Sequence, residues 1–394
     1  MAGSSKPRVA IVGAGIGGLT AGLLLANQGY PVHVHEQARR LGEVGAGLTL
    51  SKGAQATLRE AGVLDAVRGA ASLSATIPFL HYRTGERLAG EYDRSDGTQD
   101  TPEIVGRQIL RADLHAILAE AYGRTTGDLS LSRQLVGIEP RGDGVRLAFS
   151  DGTRAEADLL IGADGLRSTV REVMFDPTPP LFTGQVAWRF LAPWEAAAPF
   201  MGAGRAAVYF GPGRVINRYT LRRGRIVNCV ALARSESWFE EGWSVRGDPA
   251  ELRGLFEGWH RDVTGLLAQA PAETLRRWGL FHREPLAVWR DGGVTLLGDA
   301  AHPMLPFLGL GAAMAIEDAM VLARALALEA EPTAALDLYE AVRKPRTAEV
   351  FRQSVRQGEL LQSRDPDNYD PAASPASDRT FFDYDPVTAP LRAA

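Results

Sequence analysis

The stretch Thr295–Asp318 (TLLGDAAHPMLPFLGLGAAMAIED) contains the residue types needed to hold a hydroxyl-rich ligand that becomes anionic. Asp299 follows a predicted strand, at the edge where open α/β sheets bind ligands, and its carboxylate would accept hydrogen bonds from ligand hydroxyls. The helix predicted to begin near Gly311 would direct backbone N–H groups and its positive dipole end to the same place. The alternative is an ordinary strand–loop–helix connection in which Asp299 caps the helix.

A second ligand-binding pattern, GAGIGG at Gly13–Gly18, lies between a predicted strand and a predicted helix near the N-terminus. Gly13 permits a tight turn, Gly15 lets a pyrophosphate approach the backbone, and Gly18 allows close helix–strand packing. Glu36, at the end of the next predicted strand, is placed to bind ribose hydroxyls. The loop, its flanking elements and this acid together predict binding of an adenine dinucleotide.

Three further residues are candidates on weaker grounds. Gly47, in a second glycine-dense turn, offers another point where the backbone can approach a ligand closely. Arg111 is predicted at the start of a helix over Ile109–Tyr122, where a basic residue opposes the dipole, so a bound anion and plain solvent exposure explain it equally well. Asp164, in an Asp-Gly turn after a predicted buried strand, is as consistent with a structural turn as with a ligand contact.

The composition limits the class of protein. A chain of 394 residues exceeds one ordinary core and favours two domains. The 43 basic and 47 acidic residues give a net charge of −4, which predicts no nucleic-acid partner. The sequence has no apolar run long enough to span a membrane, so no integral membrane association is expected. The single cysteine, Cys229, predicts a buried thiol, no metal site and a reducing, cytoplasmic compartment.

Residues 175–290 are rich in aromatic side chains and in strand-like runs. An antiparallel sheet that carries them would form a wall for a flat apolar ligand. Because such side chains are more often plain core, the pattern supports a pocket without deciding for it.

Three motifs, in their order and spacing, resemble those of the class A flavoprotein monooxygenases, the single-component aromatic hydroxylases. They are GAGIGG with Glu36, GADGLRS at Gly162–Ser168, and GDAAHP at Gly298–Pro303. VAWR and MAIEDA are similar to the salicylate hydroxylase and 3-hydroxybenzoate 6-hydroxylase subgroup. The resemblance implies an α/β fold, with a Rossmann-like FAD-binding domain of the 4-hydroxybenzoate hydroxylase kind interleaved with an antiparallel-sheet substrate domain, and a C-terminal helical segment.

The implied domains are discontinuous in sequence. The FAD-binding domain would comprise residues 7–72, 101–174 and 284–330, and the substrate-binding domain residues 73–100 and 175–283. Residues 331–394 would form the C-terminal helical segment and tail. A helix over Thr333–Leu361 is predicted to be interrupted near Pro345, because proline lacks the N–H that a helix interior needs.

The resemblance also implies roles for the cofactor-binding residues. Glu36 would bind the ribose, Arg111 the ribityl–pyrophosphate region, and Asp299 a ribityl hydroxyl. Asp164 would take part in binding both FAD and NAD(P)H. The residues placed beside the isoalloxazine ring would be Pro303 and Pro306, with the backbone of Gly311 and Ala312 facing N1 and O2.

The implied reaction begins with hydride transfer from NADH or NADPH, bound transiently, to FAD. O₂ addition would then give a C4a-hydroperoxide that hydroxylates a small aromatic substrate of the phenol or aniline type, carboxylated like salicylate or hydroxybenzoate. One dinucleotide fingerprint in a βαβ context agrees with transient NAD(P)H binding. The sequence leaves open whether the protein is a monomer or a homodimer.

The substrate side departs from the family pattern. Val215 stands where many relatives have histidine, and Leu310 where they commonly have glutamine. These two residues, with Thr49, are expected to line the substrate site and to determine its specificity. Without that histidine the substrate would ionise readily, be aniline-like, or not be a simple hydroxybenzoate.

The catalytic candidates are Tyr219 and Pro303. A phenol reacts as its anion, so Tyr219 is expected to orient the substrate or relay its proton, and His81 and His282 are weaker alternatives. Arg189 is the candidate for holding a substrate carboxylate. The other arginines considered for such a clamp are Arg214, Arg218 and Arg222.

Two other functions remain compatible with the same motifs. One is a flavin-dependent reductase or oxidase on the same fold, without productive oxygen insertion. The other is a non-catalytic protein that binds FAD and an aromatic ligand. A hydroxylase forms an oxygenated product, whereas a reductase or oxidase does not. A non-catalytic binding protein would show no ligand-stimulated oxidation of NAD(P)H.

Overall fold

The computed structural model describes residues 6–42, 46–74, 76–93, 106–142, 144–236, 238, 245–378 and 380–392. Part of the glycine-dense turn before Gly47, and residues 94–105 at the expected border between the two domains, lie outside these ranges.

The strands are, in chain order, β1 (Val9–Val12), β2 (Val32–His35), β3 (Gly47–Leu50), β4 (Ser72–Ser74), β5 (Thr76–His81), β6 (Arg87–Asp93), β7 (Gly106–Leu110), β8 (Asp128–Ser130), β9 (Leu135–Arg141), β10 (Gly144–Phe149), β11 (Arg154–Ala157), β12 (Leu159–Gly162), β13 (Leu181–Pro193), β14 (Ala206–Gly211), β15 (Arg214–Leu221), β16 (Ile226–Arg234), β17 (Val245–Arg246), β18 (Arg276–His282), β19 (Arg290–Asp291) and β20 (Val294–Leu296).

The helices are α1 (Ile16–Asn27), α2 (Lys52–Glu60), α3 (Leu64–Ala70), α4 (Arg111–Tyr122), α5 (Thr169–Met174), α6 (Trp194–Ala197), α7 (Pro249–Leu255), α8 (Arg261–Ala268), α9 (Gly311–Leu328), α10 (Pro332–Leu361) and α11 (Thr380–Asp383). Short 3₁₀ turns lie at Ala198–Phe200, Arg222–Gly224, Gly298–Ala300, Pro306–Leu308, Pro366–Asn368, Pro371–Ala373 and Pro375–Ser377.

A six-stranded sheet in the order β19-β20-β12-β1-β2-β8 carries the dinucleotide fingerprint. Five of its strands are parallel, and β19 is antiparallel. β1 and β12 are buried along their whole length, as expected of parallel strands covered on both faces. Helices α1 and α9 pack against each other beside this sheet, so the N-termini of both helices belong to the same layer.

An eight-stranded sheet in the order β17-β18-β13-β16-β15-β14-β5-β6, antiparallel except for the parallel pair β14–β5, forms the second part of the protein. We call it the antiparallel sheet. Its strands come from both segments predicted for the substrate-binding domain. One face packs on α7 and α8 through a core that includes Trp188, Tyr209 and Phe256. The opposite face contributes Val215 and Tyr219 to the core shared with the parallel sheet. The residues predicted to line the substrate site therefore lie on the second face, and several of the aromatic residues lie in the core behind it.

Helix α10 runs through Pro345 without the predicted interruption. Ion pairs hold the residues on both sides of the proline: Arg343 binds Asp318, and Arg346 binds Glu317. These contacts offset the hydrogen bond that proline removes, a loss of about 3 kcal/mol in a helix interior. The prediction of an interruption is wrong because it considered local backbone chemistry without these tertiary contacts.

The start of α4 also differs from the prediction. β7 continues to Leu110, so the helix begins at Arg111 rather than at Ile109. Arg111 is consequently the first helical residue, at the junction where β7 leaves its sheet. No helix in the described part of the chain combines the length and apolarity required to cross a membrane.

Candidate active site

The predicted cofactor motifs meet at one edge of the parallel sheet. They follow four neighbouring strands, β20, β12, β1 and β2, and all four strands point the same way. Asp299, Asp164, the Gly13 loop and Glu36 therefore lie side by side at the carboxyl edge, although up to 286 positions separate them in sequence. This is where a doubly wound sheet binds a nucleotide.

The glycine loop has room for a ligand at one position and none at two others. A Cβ on Gly13 would lie 2.4 Å from the Ala163 carbonyl oxygen, and a Cβ on Gly18 would lie 2.0 Å from the Gly13 carbonyl oxygen. A Cβ on Gly15 would meet no atom within 4 Å. Gly13 and Gly18 are thus required by the fold, whereas the backbone at Gly15 is accessible to a bound group.

The helix N-termini at this edge are not neutralised by the protein. α1 begins after Gly15 and α9 begins after Leu310, and neither helix has a side-chain cap or an acidic residue in its first turn. The positive ends of both dipoles are therefore available to a pyrophosphate and to a flavin ring that gains negative charge. This geometry fits FAD.

The loop and first turn before α9 place the remaining predicted flavin contacts. Pro306 is exposed and Gly311 and Ala312 are half-buried, whereas Pro303 is buried. Asp299 lies in a separate 3₁₀ turn, Gly298–Ala300, and does not cap α9, so the capping alternative is wrong.

Asp299 and Arg111 are brought together across the edge. Asp299 is exposed although its neighbours Gly298 and Ala300 are buried. Burial lowers the pKa of Arg111 below its ordinary value, and the negative charge of Asp299 acts in the opposite direction. A carboxylate and a guanidinium side by side provide an acceptor for ligand hydroxyls and a donor for a phosphate, as expected for the ribityl–pyrophosphate region.

Glu36 and Asp164 are both engaged by backbone groups of the protein. The Glu36 carboxylate accepts hydrogen bonds from the N–H groups of Ala14 (2.7 Å) and Ala38 (2.8 Å), so it also supports the glycine loop. Asp164 accepts the N–H of Val170 at 3.1 Å, and burial raises its pKa. Asp164 thus orders the turn before α5, and the predicted cofactor contacts of both residues stay predictions.

A buried ion cluster supports the loop that carries Asp299. Asp318 accepts the Gly298 N–H at 2.9 Å and lies 2.6 Å from His302 Nε2 and 2.6 Å from Arg343 Nε. Burial by itself raises the pKa of Asp318, but the charges of His302 and Arg343 hold it at about 2. Glu317 joins the cluster through Arg343 at 3.0 Å. This cluster was not predicted from the sequence, although the GDAAHP and MAIEDA motifs contain His302, Glu317 and Asp318.

The facing wall of the antiparallel sheet is apolar and closely packed. Val215 and Tyr219 lie four residues apart on β15, so they share a face, and both are buried with Leu310 in one core. A Cβ on Gly47 would lie 2.4 Å from the Tyr219 hydroxyl oxygen, so the phenol ring rests on the backbone of β3. Thr49 is half-buried on β3, opposite Gln108 of β7.

Arg189 is a charged residue on this face of the sheet, and its neighbours include an aromatic ring and two other arginines. Its guanidinium stacks over the Trp278 ring at 4.9 Å, and Arg276 is its register partner on β18. Burial, then Arg111 and Arg276, lower the pKa of Arg189 to about 10. No carboxylate among the described residues pairs with it. Three arginines near one another favour an anion from outside the protein.

Two of the other arginines proposed for a carboxylate clamp have different roles, so their prediction is wrong. Arg218 lies on the opposite face of β15 and donates to the Gly204 carbonyl at 2.7 Å. The Arg222 guanidinium forms a bidentate ion pair with the Asp113 carboxylate, with N–O distances of 2.7 and 2.9 Å. Arg214 lies at the tip of the β14–β15 hairpin, outside the edge described above.

The histidines considered as bases contact the C-terminal segment. His81 Nε2 lies 3.2 Å from Asp367, and the His282 ring stacks on Phe351 of α10 at 5.6 Å. Cys229 is fully buried, and burial raises its pKa to about 12, so it is an inert core thiol as predicted.

Known proteins with similar sequences and structures agree with this geometry. Residues 6–354 match the family described as FAD binding domain. A 3-amino-4-hydroxybenzoate 2-monooxygenase of Streptomyces platensis is 36% identical over 357 residues, which cover 90% of this chain and 88% of that protein. A 6-hydroxynicotinate 3-monooxygenase of Pseudomonas fluorescens is 34% identical over 368 residues, covering 92% and 94%. A salicylate hydroxylase substrate complex has a TM-score of 0.82 at 25% identity, covering 97% and 96% of the two chains.

Fold, site and relatives together define an FAD-dependent oxidoreductase. The chain belongs to the class A flavoprotein monooxygenases, the FAD-dependent aromatic hydroxylases. The predictions of the family, the α/β fold, the enzyme class and FAD as cofactor are confirmed.

Proposed function

We propose that this enzyme hydroxylates a small aromatic carboxylate that carries a ring hydroxyl or amino group, with O₂ as oxidant and NADH or NADPH as electron donor. The observation that carries the proposal is Arg189, a half-buried cation near Arg111 and Arg276 without a carboxylate partner among the described residues. A substrate carboxylate would supply the missing charge. The relatives named above act, by their names, on carboxylated rings that bear a hydroxyl group.

When bound, FAD supplies hydride acceptance and oxygen activation, and the residues of the chain supply binding and orientation. We assign the ribityl hydroxyls to Asp299, the pyrophosphate to Gly15 and Arg111, and the ring contacts to Pro303, Pro306 and the backbone of Gly311 and Ala312. The uncapped N-terminus of α9 would stabilise negative charge on the flavin ring.

On the substrate side, Val215, Leu310 and Thr49 would shape a pocket with few polar groups, and Arg189 would fix the carboxylate. Tyr219 would orient the ring substituent through its hydroxyl, held in place by the backbone of Gly47. With valine at position 215, ring activation would depend on the electron donation of the substrate's own amino or hydroxyl group. The pocket thus favours an electron-rich, aminohydroxybenzoate-like ring.

The test is a panel of hydroxybenzoates, aminobenzoates and aminohydroxybenzoates with the FAD-loaded enzyme. We expect one or more carboxylates to stimulate NADH or NADPH oxidation and to yield a product heavier by one oxygen. Stimulation with hydrogen peroxide as the sole product would favour a reductase or oxidase. Lack of stimulation by every member would contradict the proposed substrate class. Cytoplasmic location, and the choice between monomer and homodimer, stay predictions.

A further inference from the structure

A solvent-open cleft of about 510 Å³ lies outside the edge that we assign to FAD. One wall is the tip of the β14–β15 hairpin, with Gly213 and Arg214, and Arg234 at the end of β16 adjoins it. The other wall is the end of α10 and the residues after it. The lining residues are Pro212, Gly213, Arg214, Arg234, Glu359, Gln362, Ser363 and Arg364. The volume lies within the range of small-molecule sites, about 300–1,000 Å³. We call it the arginine cleft.

A backbone hydrogen bond joins the two walls: the Gly213 N–H donates to the Gln362 carbonyl at 3.3 Å. Within the first wall, the Arg234 N–H donates to the Gly213 carbonyl at 3.2 Å. These hydrogen bonds fix the positions of the hairpin tip, the end of β16 and the end of α10, and therefore the shape of the arginine cleft.

The charge of the arginine cleft is positive and locally uncompensated. None of Arg214, Arg234 and Arg364 forms an ion pair or a side-chain hydrogen bond with another described residue. Glu359 is the one acidic side chain in the lining. Three guanidinium groups against one carboxylate leave an excess of positive charge on a protein whose net charge is −4. Such a cleft attracts small anions against the overall charge of the molecule.

Both walls lead toward the predicted substrate site. On β16, Arg234 lies two residues beyond Leu232, the register partner of Val215, so Arg234 shares the face of the sheet that carries Val215. On α10, Gly358 lies one turn before Gln362, and a Cβ on Gly358 would lie 2.6 Å from the ring of Phe307. Phe307 is part of the 3₁₀ turn that contains Pro306, the predicted flavin contact. The arginine cleft therefore borders the substrate side of the protein.

We propose that the arginine cleft is an entry site that captures the carboxylate of the aromatic substrate before the ring reaches the flavin, an inference that rests on the proposed function. A single carboxylate fits better than a pyrophosphate, because Glu359 and the carbonyl end of α10 add negative charge to one wall.

The experiment compares Arg234→Gln, Arg364→Gln and the double variant with Arg356→Gln. Arg356 is an exposed arginine on α10 that does not line the arginine cleft, so its variant removes one positive charge outside the cleft. The association rate of each ligand is measured by stopped-flow flavin absorbance on FAD-loaded enzyme without electron donor. The ligands are salicylate and its neutral analogue salicylamide, then the corresponding pair for the best carboxylate in the panel.

We expect the double variant to slow carboxylate association roughly tenfold and each single variant by about threefold, because an entry site acts on the association rate. Carboxamide binding, the Kd for FAD and the kcat at saturating substrate should stay unchanged, and Arg356→Gln should behave like the wild type. The salt dependence of carboxylate binding should also decrease in the double variant.

An unchanged association rate for the carboxylate in the double variant would overturn the inference, as would an equal loss for the carboxamide. A rise confined to the KM for NADH or NADPH would overturn it in favour of a dinucleotide phosphate site. If the panel yields hydroxylation of neutral rings alone, the inference fails and the hydroxylase assignment stands. If no ligand stimulates oxidation, the proposed function fails, and the stopped-flow comparison still tests the arginine cleft.

Discussion

The carboxyl edge of the parallel sheet and the facing wall of the antiparallel sheet are built in opposite ways. At the edge, Asp299 is exposed, the backbone at Gly15 is accessible, and two helix N-termini have no cap. On the wall, Val215 and Tyr219 are buried in a continuous core. The edge keeps its polar groups available for a ligand, whereas the wall uses its side chains for packing.

We therefore expect the protein to bind the FAD dinucleotide and the aromatic substrate by different kinds of contact. A dinucleotide has fixed phosphates and hydroxyls, so the edge must present fixed donors and acceptors. In the proposed function, the substrate ring would be recognised mainly by shape, with Arg189 as the charged group near Arg111 of the edge. If this account is correct, changes at the edge should alter FAD binding, and changes on the wall should alter turnover or KM while FAD is retained.

The largest effect is expected from Arg343→Met, which removes the cation of the ion cluster beneath the edge. Among the described residues, Asp318 would then keep only His302 as an ion-pair partner and Glu317 only Arg346, and we expect the free energy of unfolding to fall by about 3–5 kcal/mol. Urea denaturation of the FAD-loaded protein measures this loss. Arg356→Met, on the exposed side of the same helix, should change stability by less than about 0.5 kcal/mol. Equal stability of the two variants would show that the cluster does not support the edge.

The next largest effects are expected in the glycine loop, where Gly18 is required by the fold and Gly15 is predicted to contact the ligand. Gly18→Ala should destabilise the protein by about 1–3 kcal/mol, because its Cβ would lie 2.0 Å from a backbone oxygen. Gly15→Ala should cost less than about 1 kcal/mol but weaken FAD binding by at least about tenfold. Urea denaturation of the apoprotein and fluorescence titration with FAD measure the two quantities. Tight FAD binding by Gly15→Ala would place the pyrophosphate elsewhere.

On the wall, Gly47→Ala should displace the Tyr219 ring, since the new methyl would lie 2.4 Å from its hydroxyl oxygen. We expect kcat to fall by about a hundredfold if Tyr219 orients the substrate or relays a proton. The bound FAD should remain stoichiometric. Gly69→Ala is the control, because a Cβ there would meet no atom within 4 Å. The kcat is measured by steady-state kinetics with the best panel substrate. An unchanged kcat would show that Tyr219 has no role in the proposed chemistry.

The smallest effect is expected from Arg189→Gln. Loss of one charge-assisted hydrogen bond should raise the KM for a carboxylated substrate by about tenfold, while the KM for its carboxamide stays the same. FAD content, read from the flavin absorbance, should not change. Equal effects on both substrates, or loss of FAD, would instead assign Arg189 to the cofactor side.

The cofactor edge was predictable from sequence because each of its motifs is local. Gly13–Gly18 and Asp299 directly follow short apolar strands, and parallel strands bring their carboxyl ends to one edge. The ion cluster was not predictable from the same patterns, because it joins Asp318 to Arg343 across two helices. The uninterrupted path of α10 through Pro345 was missed for the same reason, since the contacts that hold it are tertiary. Arg189 was found by its residue type, but its neighbours Arg111 and Arg276 became evident from the structure.

The measurement that tests the central claim most directly is the origin of the oxygen in the product. The enzyme, loaded with FAD, is supplied with NADH or NADPH, the best aromatic carboxylate and ¹⁸O₂, and the product is analysed by mass spectrometry. We predict one ¹⁸O atom per product molecule, located on the ring. Oxidation of the electron donor with hydrogen peroxide and unaltered aromatic ligand, or a hydroxylated product without label, would contradict the account.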